Sequence, residues 1–184
     1  GHLVELIYEP ALGDNGYIDI PWLNNFFYND ELVINKALRF NPDLICFSAI
    51  TNLYMPIKNL ARKFKKILPK VPIIVGGIHP TSLPEETIQE DCFDMICLGE
   101  GEGAMEDLLQ RMRDKKSYND VKNLWVKDNN GHIHKNNKRP VIRPLESLPN
   151  PAKSFFAKYG ALTSRIMIMT TRGCPFACTF CVNS

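Results

Sequence analysis

The chain has no long apolar run, no leader-like opening and almost no net charge across its 184 residues. No stretch approaches the ~18–20 consecutive apolar residues that a helix needs to cross a bilayer. The chain does not open on the basic, apolar and small-residue series of a secretory signal, so we expect a cytoplasmic protein. Lys and Arg number 22 against 20 Asp and Glu, for a net charge of +2. We therefore expect neither membrane nor nucleic acid as a partner.

The six cysteines are unevenly placed, which argues against a disulfide framework. Three of the six cysteines fall in the last eleven residues. The other three, Cys46, Cys92 and Cys97, lie in apolar stretches. We expect these three to be small buried hydrophobic residues, since free cysteine is among the most buried residue types.

Between Asp43 and Leu98, short apolar runs alternate with amphipathic segments. The apolar runs predict strands, and the amphipathic segments predict helices that begin near Pro56 and Ala104. This alternation is typical of an α/β protein with a doubly wound parallel sheet. The predicted strands are Leu44–Ser48, Val71–Val75 and Met95–Leu98, the second leading through Gly76-Gly77 into a tight turn at 78–81.

Each predicted strand ends in a segment rich in glycine, serine or threonine. The segments begin at Ser48, at Gly76 and at Gly99. In an open parallel sheet the carboxyl ends of the strands share one edge, and ligands bind along that edge. Glycine allows a bulky ligand to approach the backbone closely. The sequence therefore predicts a ligand site at the carboxyl edge.

The composition changes after Arg113. An Asn130-Gly131 turn between Val121–Lys127 and His132–Lys135 predicts a β-hairpin. Prolines at positions 140, 144, 149 and 151 then predict an irregular linker. Ile166–Thr170 predicts one more strand. We divide the chain into an α/β domain at 1–118, a hairpin and proline-rich linker at 119–160, and the start of a second domain at 161–184.

Charge is segregated along the sequence. Residues 84–109 contain nine acidic residues and no Lys or Arg, whereas residues 111–143 contain ten basic and three acidic residues, net +7. The basic stretch has few aromatic residues on which bases could stack. We interpret the two stretches as solvated faces that pack near one another rather than as a nucleic-acid patch.

Cys174, Cys178 and Cys181 form a compact cysteine motif with spacings of three and two residues. Three thiolates this close can surround one metal centre. Zinc takes four protein ligands in structural sites, and no fourth cysteine or histidine follows. An iron-sulfur cubane suits the count better, since three cysteines leave one iron open. Three reduced core cysteines are a poorer interpretation, because the segment is turned by glycine and proline rather than periodic.

This motif, with Thr-Arg-Gly before Cys174 and Phe180 before the last cysteine, resembles the cluster loop of the radical S-adenosylmethionine enzymes. The resemblance implies that the three cysteines bind a 4Fe-4S cluster whose open iron is chelated by S-adenosylmethionine. An electron donor such as flavodoxin or ferredoxin would then drive cleavage to a 5'-deoxyadenosyl radical. Phe180 would lie near the adenine, and Ile166–Thr170 would be the first strand of a partial (β/α) barrel.

The preceding segments 42–48, 75–81, 98–102 and 148–151 resemble the cobalamin-binding domain of the cobalamin-dependent radical enzymes. The resemblance implies a Rossmann-like domain with the corrinoid on the carboxyl edge of its sheet. It implies that two segments flank the nucleotide tail and that a third closes the pocket. The residues so implied are Ser48, Ala49, Thr51, Gly76 and Gly77 for the tail, and Gly99, Glu100, Gly101 and Glu102 for the closing loop.

His79 is the histidine nearest to this predicted site. Many corrinoid carriers supply a cobalt ligand from an Asp-x-His-x-x-Gly motif, and the chain has none. The resemblance therefore implies base-off cobalamin without a histidine ligand. For His79 we expect a turn-stabilising or tail-contacting role, and for His2, His132 and His134 surface positions.

These observations predict a cobalamin-dependent radical S-adenosylmethionine enzyme, with a methyltransferase acting on an unactivated carbon as the first choice. The alternatives are a radical enzyme without cobalamin, of methylthiotransferase or cyclase type, and a non-catalytic corrinoid carrier. The substrate, a small molecule or a peptide, is not readable. We expect the chain to be part of a longer enzyme, with Leu3–Tyr8 as a second strand and the first strand missing between it and Leu44–Ser48.

Overall fold

The computed structural model describes residues 1–7, 30–157, 171–174, 176, 178–179 and 181. The chain forms two compact units. One is continuous, Pro42–Ile142, and the other combines Gly1–Asn41 with Arg143–Ser184. The continuous unit contains the sheet and the predicted ligand site.

The sheet has five strands in the order β1-β2-β3-β4-β5. The first three are parallel, and β4 and β5 add to β3 as an antiparallel hairpin. The predicted α/β fold is confirmed. The strands are β1 Ile45–Ser48, β2 Ile73–Gly76, β3 Met95–Cys97, β4 Leu124–Lys127 and β5 Ile133–Lys135.

Helices cover both faces of the sheet. On one face, Leu108 of the long helix after β3 packs into a buried cluster with Ile74 and Met95. On the other face, Phe64 packs on Phe47 of β1, with ring centroids 6.3 Å apart. The described helices are α1 Asp30–Phe40, α2 Tyr54–Ile67, α3 Ile78–Ser82, α4 Pro84–Gln89, α5 Glu102–Arg113 and α6 Ser154–Ala157. None of them is long and apolar enough to span a bilayer.

The helix boundaries differ from the predicted ones in small ways. Helix α2 begins at Tyr54, so Pro56 is its third residue rather than its first. Proline is tolerated there because the first N–H groups of a helix have no partner within the helix. Residues 78–82 form the short helix α3 where a tight turn is predicted, and α4 starts at Pro84. Both helices are too short for their periodicity to be recognised in the sequence.

The predicted hairpin is present, but it belongs to the sheet. Strand β4 pairs with β3 from Met95↔Val126 to Cys97↔Leu124. Leu124 and Val126 are buried because this pairing places them over the same core as β3. Sequence patterning assigned the hairpin to the linker segment, whereas the structure includes it in the sheet unit. Whether the other proposed boundaries divide domains stays a prediction.

The predicted strand at Leu3–Tyr8 is not observed over its described residues. Residues 1–7 have no assigned helix or strand, and Tyr8 lies outside the described residues. Leu3 is 85% and Val4 is 59% exposed. Apolar alternation predicts a strand only where one face is buried, and these two apolar side chains are exposed. Among the described strands, β1 therefore stands at the edge of the sheet, next to β2. The strand predicted at Ile166–Thr170 lies outside the described residues.

Candidate ligand-binding cleft

A cleft of about 210 Å³ opens at the carboxyl edge of the parallel strands. It lies on the sheet face that α5 covers, since Met105 of that helix and Ile74 of β2 both line it. Four of the predicted site residues, all glycines, line the cleft, and the other predicted residues at this edge do not. The lining residues are Cys46, Phe47, Ile74, Gly76, Gly77, Cys97, Gly99, Gly101 and Met105.

Gly77 is required by a close approach between two loops. Its φ is +102°, and a Cβ at this position would come within 2.6 Å of the Ala49 carbonyl oxygen. The Ala49 N–H donates to the Gly76 oxygen at 2.8 Å, and the His79 N–H donates to the Ala49 oxygen at 3.1 Å. Ala49 is fully buried. Its role is to join the loops after β1 and β2, not to line the cleft.

The third loop brings two more glycines to the cleft. Gly99 has a φ of +71°, and a Cβ on it would meet nothing within 4 Å. A Cβ on Gly101 would lie 3.7 Å from the Cys97 sulfur, an ordinary contact distance. The space over Gly99 and Gly101 is therefore open to a ligand that lies close to the backbone.

Two cysteines line the apolar floor of the cleft, and sequence reasoning placed neither in the site. Cys97 is buried, and burial raises the pKa of its thiol to about 11, which keeps it neutral. Cys46 is exposed, so the prediction that it is a buried hydrophobic residue is wrong. Cys46 lies on β1, which stands at the edge of the sheet among the described strands and is therefore covered less than β2 and β3. Cys92 is buried as predicted, with a thiol pKa raised to about 11, chiefly by burial.

His79 lies outside the cleft lining. Its ring stacks on Tyr54 with centroids 3.7 Å apart, and Nδ1 is 3.3 Å from the Thr51 hydroxyl. The residue is 6% exposed, and burial lowers the pKa of the imidazole. These contacts agree with the expected turn-stabilising role. They also account for Thr51, whose side chain faces His79.

Glu100 is hydrogen-bonded to Ile142 and to Asn123. Its carboxylate accepts the Ile142 N–H at 2.7 Å, and its carbonyl oxygen accepts the Asn123 side-chain amide at 2.6 Å. Asn123 is 2% exposed and has a positive φ of 71°. Its side-chain oxygen also accepts the Arg139 N–H. Asn123 thus supports the Gly99–Gly101 loop from behind, and no motif in the sequence points to it.

Ser48 and Glu102 stand beside the cleft without lining it. Ser48 ends β1 and is exposed. Glu102 is the first residue of α5, where a carboxylate interacts favourably with the helix dipole. Any contact of Ser48 or Glu102 with a ligand stays a prediction.

The cysteine motif is described only in part. Cys174 and Cys178 are exposed, and the Cys181 N–H donates to the Cys178 oxygen at 3.0 Å. Within the described ranges, no three His, Cys, Asp or Glu side chains lie close enough to hold a metal ion. Phe180 lies outside the described residues. The assignment of the three cysteines as iron ligands therefore stays a prediction from their spacing.

Comparisons with known proteins identify the family of the domain that contains this cleft. A family model described as B12 binding domain matches residues 13–109. The chain is 31% identical over 150 residues to the uncharacterized methyltransferase PH0819 of Pyrococcus horikoshii, covering 79% of this chain and 32% of that protein. It is 25% identical over 149 residues to the cobalamin-dependent radical SAM methyltransferase TokK of Streptomyces tokunonensis, covering 76% of this chain and 22% of that protein.

A solved structure has the same fold. The cobalamin-dependent S-adenosylmethionine radical enzyme OxsB, with aqua-cobalamin and S-adenosylmethionine bound, superposes with a TM-score of 0.66 at 24% identity. The superposition covers 83% of this chain and 22% of that one. The superposition shows the shared fold, and the B12-binding match together with the likeness to TokK confirms the resemblance to cobalamin-dependent radical enzymes. The chain spans about a third or less of the length of these relatives, 32% and 22%.

Proposed function

Since the chain belongs to the B12-binding domain family, we propose that the cleft at the carboxyl edge of its sheet binds cobalamin. The observation that carries this proposal is the set of four glycines over an apolar floor at the ends of two neighbouring parallel strands. The cleft is smaller than the ~300–1,000 Å³ of sites that enclose a small ligand. It suits one part of a large flat ligand whose remainder extends beyond it.

The residues of the cleft fit a corrinoid held without a protein imidazole. The lining contains glycine backbone, two cysteine side chains, and aliphatic and aromatic groups. His79, the histidine nearest in sequence, is held against Tyr54 and Thr51. We propose that cobalamin binds base-off and that contacts to glycine backbone and apolar side chains hold it. Bound cobalamin would supply the methyl-carrying chemistry of the site.

We propose further that the longer protein containing this chain is a cobalamin-dependent radical S-adenosylmethionine enzyme, most simply a methyltransferase acting on an unactivated carbon. The relatives PH0819 and TokK, both methyltransferases, support a methyltransferase. Cys174, Cys178 and Cys181 would hold a 4Fe-4S cluster, because three thiols suit a cubane with one open iron. Phe180 would lie near S-adenosylmethionine, as the resemblance implies.

The remaining partners belong to the same proposal. An electron donor such as flavodoxin or ferredoxin, a cytoplasmic location and a small-molecule or peptide substrate fit an enzyme of this class. A radical enzyme of cyclase or methylthiotransferase type is the alternative activity, and a corrinoid carrier is the non-catalytic one. If the longer protein formed no iron-sulfur cluster, that result would favour the corrinoid carrier.

Cobalamin binding is tested by filling the cleft at one position. Gly101→Ala adds a methyl group that fits at 3.7 Å from Cys97, whereas Gly101→Leu projects a larger side chain over the floor. We expect the wild type and Gly101→Ala to retain hydroxocobalamin after gel filtration, with a shifted visible spectrum. Gly101→Leu should lose it while melting within a few degrees of Gly101→Ala. Equal retention by all three proteins would place the corrinoid elsewhere.

The cluster is tested in the longer protein by anaerobic reconstitution with iron and sulfide. We expect an absorbance band near that of a 4Fe-4S cluster in the wild type and its loss when Cys174, Cys178 and Cys181 are replaced together by alanine. Cys46→Ala is the matched control, because Cys46 is an exposed cysteine outside the motif. A band that survives the triple replacement, or disappears with Cys46→Ala, would contradict the ligand assignment.

A further inference from the structure

One threonine hydroxyl connects two of the loops that border the cleft. The Thr81 hydroxyl, in α3, donates to the Gly77 carbonyl oxygen at 2.8 Å. The same oxygen of Thr81 accepts the Gly99 N–H at 3.0 Å. Gly77 follows β2 and Gly99 follows β3, so one side chain fixes the spacing between two walls of the cleft.

The loop at Gly99 depends on such bonds for its position. Gly99 and Gly101 have no side chains to anchor them, and a Cβ on Gly99 would meet nothing within 4 Å. The back of the loop is held through Glu100, by Asn123 and by Ile142. The bond from Thr81 holds its front, at the residue that lines the cleft.

We propose that Thr81 is a positioning residue for the corrinoid cleft. It does not line the cleft itself, and it acts through the two glycine loops that do. Because the Thr81 hydroxyl is hydrogen-bonded to both loops, it keeps the Gly77 and Gly99 backbones at the separation that the ligand needs. This inference rests on the proposed function of the cleft as a cobalamin site.

The neighbouring serine provides a matched control. The Ser82 hydroxyl donates to the Ile78 oxygen at 2.8 Å, the same helix-internal bond that Thr81 makes to Gly77. This bond from Ser82 stays within the segment of α3 and does not join it to Gly99. Ser82→Ala therefore removes an equivalent side-chain bond from α3 without uncoupling the loops. Thr81→Val removes both bonds of the Thr81 hydroxyl at nearly constant side-chain volume. Thr81→Ser retains the hydroxyl.

The experiment measures hydroxocobalamin affinity by absorbance titration and amide hydrogen exchange at Gly99, in the longer protein containing this chain. We expect Thr81→Val to weaken affinity about fivefold to tenfold, the loss of roughly one hydrogen bond. Exchange at Gly99 in the ligand-free protein should accelerate in the same variant. Thr81→Ser should restore both quantities to within about twofold, and Ser82→Ala should leave both unchanged. If Thr81→Val does not fold, Thr81→Ala replaces it in the comparison with Thr81→Ser.

Three results would overturn the proposal: wild-type affinity in Thr81→Val, failure of Thr81→Ser to restore binding, or an equal loss in Ser82→Ala. The two readouts separate this inference from the proposed function. If the wild type binds no hydroxocobalamin, the cobalamin assignment of the cleft is wrong. Faster exchange confined to Thr81→Val would then still show that Thr81 couples the loops.

Discussion

At the scale of single residues, Asn123 combines burial, a positive φ and a full set of hydrogen bonds. Its backbone N–H donates to the Asn137 oxygen at 3.0 Å, and its carbonyl oxygen accepts the Leu98 N–H at 2.8 Å. Its side chain bonds Glu100 and Arg139. A residue that is 2% exposed and bonded to four other residues holds the end of β3 together with the loop that follows it.

We predict that Asn123→Ala lowers the free energy of unfolding by about 2–3 kcal/mol. The substitution removes the side-chain bonds to the Glu100 carbonyl oxygen and the Arg139 N–H. It also places alanine, whose side chain forms no local hydrogen bond, at a positive φ. Urea unfolding followed by circular dichroism measures the change. Lys122→Ala is the control, because Lys122 is adjacent and exposed, and it should change the stability by less than ~0.5 kcal/mol. If Asn123→Ala lowered the free energy of unfolding by no more than Lys122→Ala does, the hydrogen bonds of Asn123 would contribute little to stability.

Asn123 also shows where sequence reasoning fails at this scale. The glycines at 76, 77, 99 and 101 were predictable, because glycine after an apolar strand is a local signal. The bond from Asn123 to Glu100 joins residues 23 positions apart. Nothing in the local sequence distinguishes this asparagine from the nearby Asn119, Asn129 and Asn130. Cys46 and Cys97 were misassigned or overlooked for the same reason, since the face of a strand that meets a cleft is decided by packing.

At the scale of elements, the hairpin turn is organised by one carboxylate. Asp128 Oδ1 accepts the Asn130 and His132 N–H groups at 2.9 and 3.0 Å, and Oδ2 lies 3.0 Å from His134 Nε2. Gly131 follows with a φ of +79°. The hydrogen bond with His134, and then those from the two backbone amides, lower the pKa of Asp128.

We predict that Asp128 makes the hairpin sensitive to acid. A carboxyl group with a lowered folded-state pKa contributes stability above its unfolded pKa of ~3.9, and this contribution is lost as the pH falls through the folded value. Asp128→Asn should therefore be less stable than wild type at pH 6 and equally stable near pH 2. Urea unfolding at both values measures the difference. Asp43→Asn, an exposed control, should match wild type at pH 6. If Asp128→Asn were less stable than wild type by the same amount at pH 2 as at pH 6, the loss of stability would not come from the carboxylate charge.

Some elements are determined by the apolar periodicity of the local sequence, and others are determined by tertiary packing. Buried strands and α5 were predictable because apolar residues recur at the strand or helix period. The short helices α3 and α4 were not, since their starts depend on bonds such as Thr87 Oγ1 to the Leu83 oxygen at 2.6 Å. The hairpin itself was predictable from Asn-Gly. Its place in the sheet was not, because the pairing of β4 with β3 is a long-range choice.

At the scale of the sheet unit, the segregated charges are complementary. The acidic stretch 84–109 and the basic stretch 111–143 meet in two ion pairs, Lys135 with Glu85 at 2.7 Å and Arg139 with Asp107. The Lys127 ammonium also donates to the Glu90 carbonyl oxygen. The net charge of +2 therefore conceals an acidic and a basic stretch that two ion pairs join within the sheet unit. The two stretches pack against each other, and the absence of a nucleic-acid partner stays a prediction.

We predict that the pair between Lys135 and Glu85 is weak, local and sensitive to salt. Both side chains are half exposed, so Lys135→Glu should lower the free energy of unfolding by about 1 kcal/mol at low ionic strength. Adding Glu85→Lys should restore only part of this loss, because the Lys135 ammonium also lies 4.8 Å from the centroid of the Trp125 ring, and a carboxylate there gains nothing from the ring.

The salt dependence separates the two contributions. At ~1 M NaCl the screening length falls to about 3 Å, so the part that Glu85→Lys restores should vanish. The part due to Trp125 should persist, because it depends on a direct contact. Urea unfolding of the two single variants and the double variant at low and high salt measures both parts. Full restoration of stability by Glu85→Lys at low salt would mean that Trp125 does not contribute. If the stability restored by Glu85→Lys did not change with salt, the ion pair would not be the screened surface contact that its exposure implies.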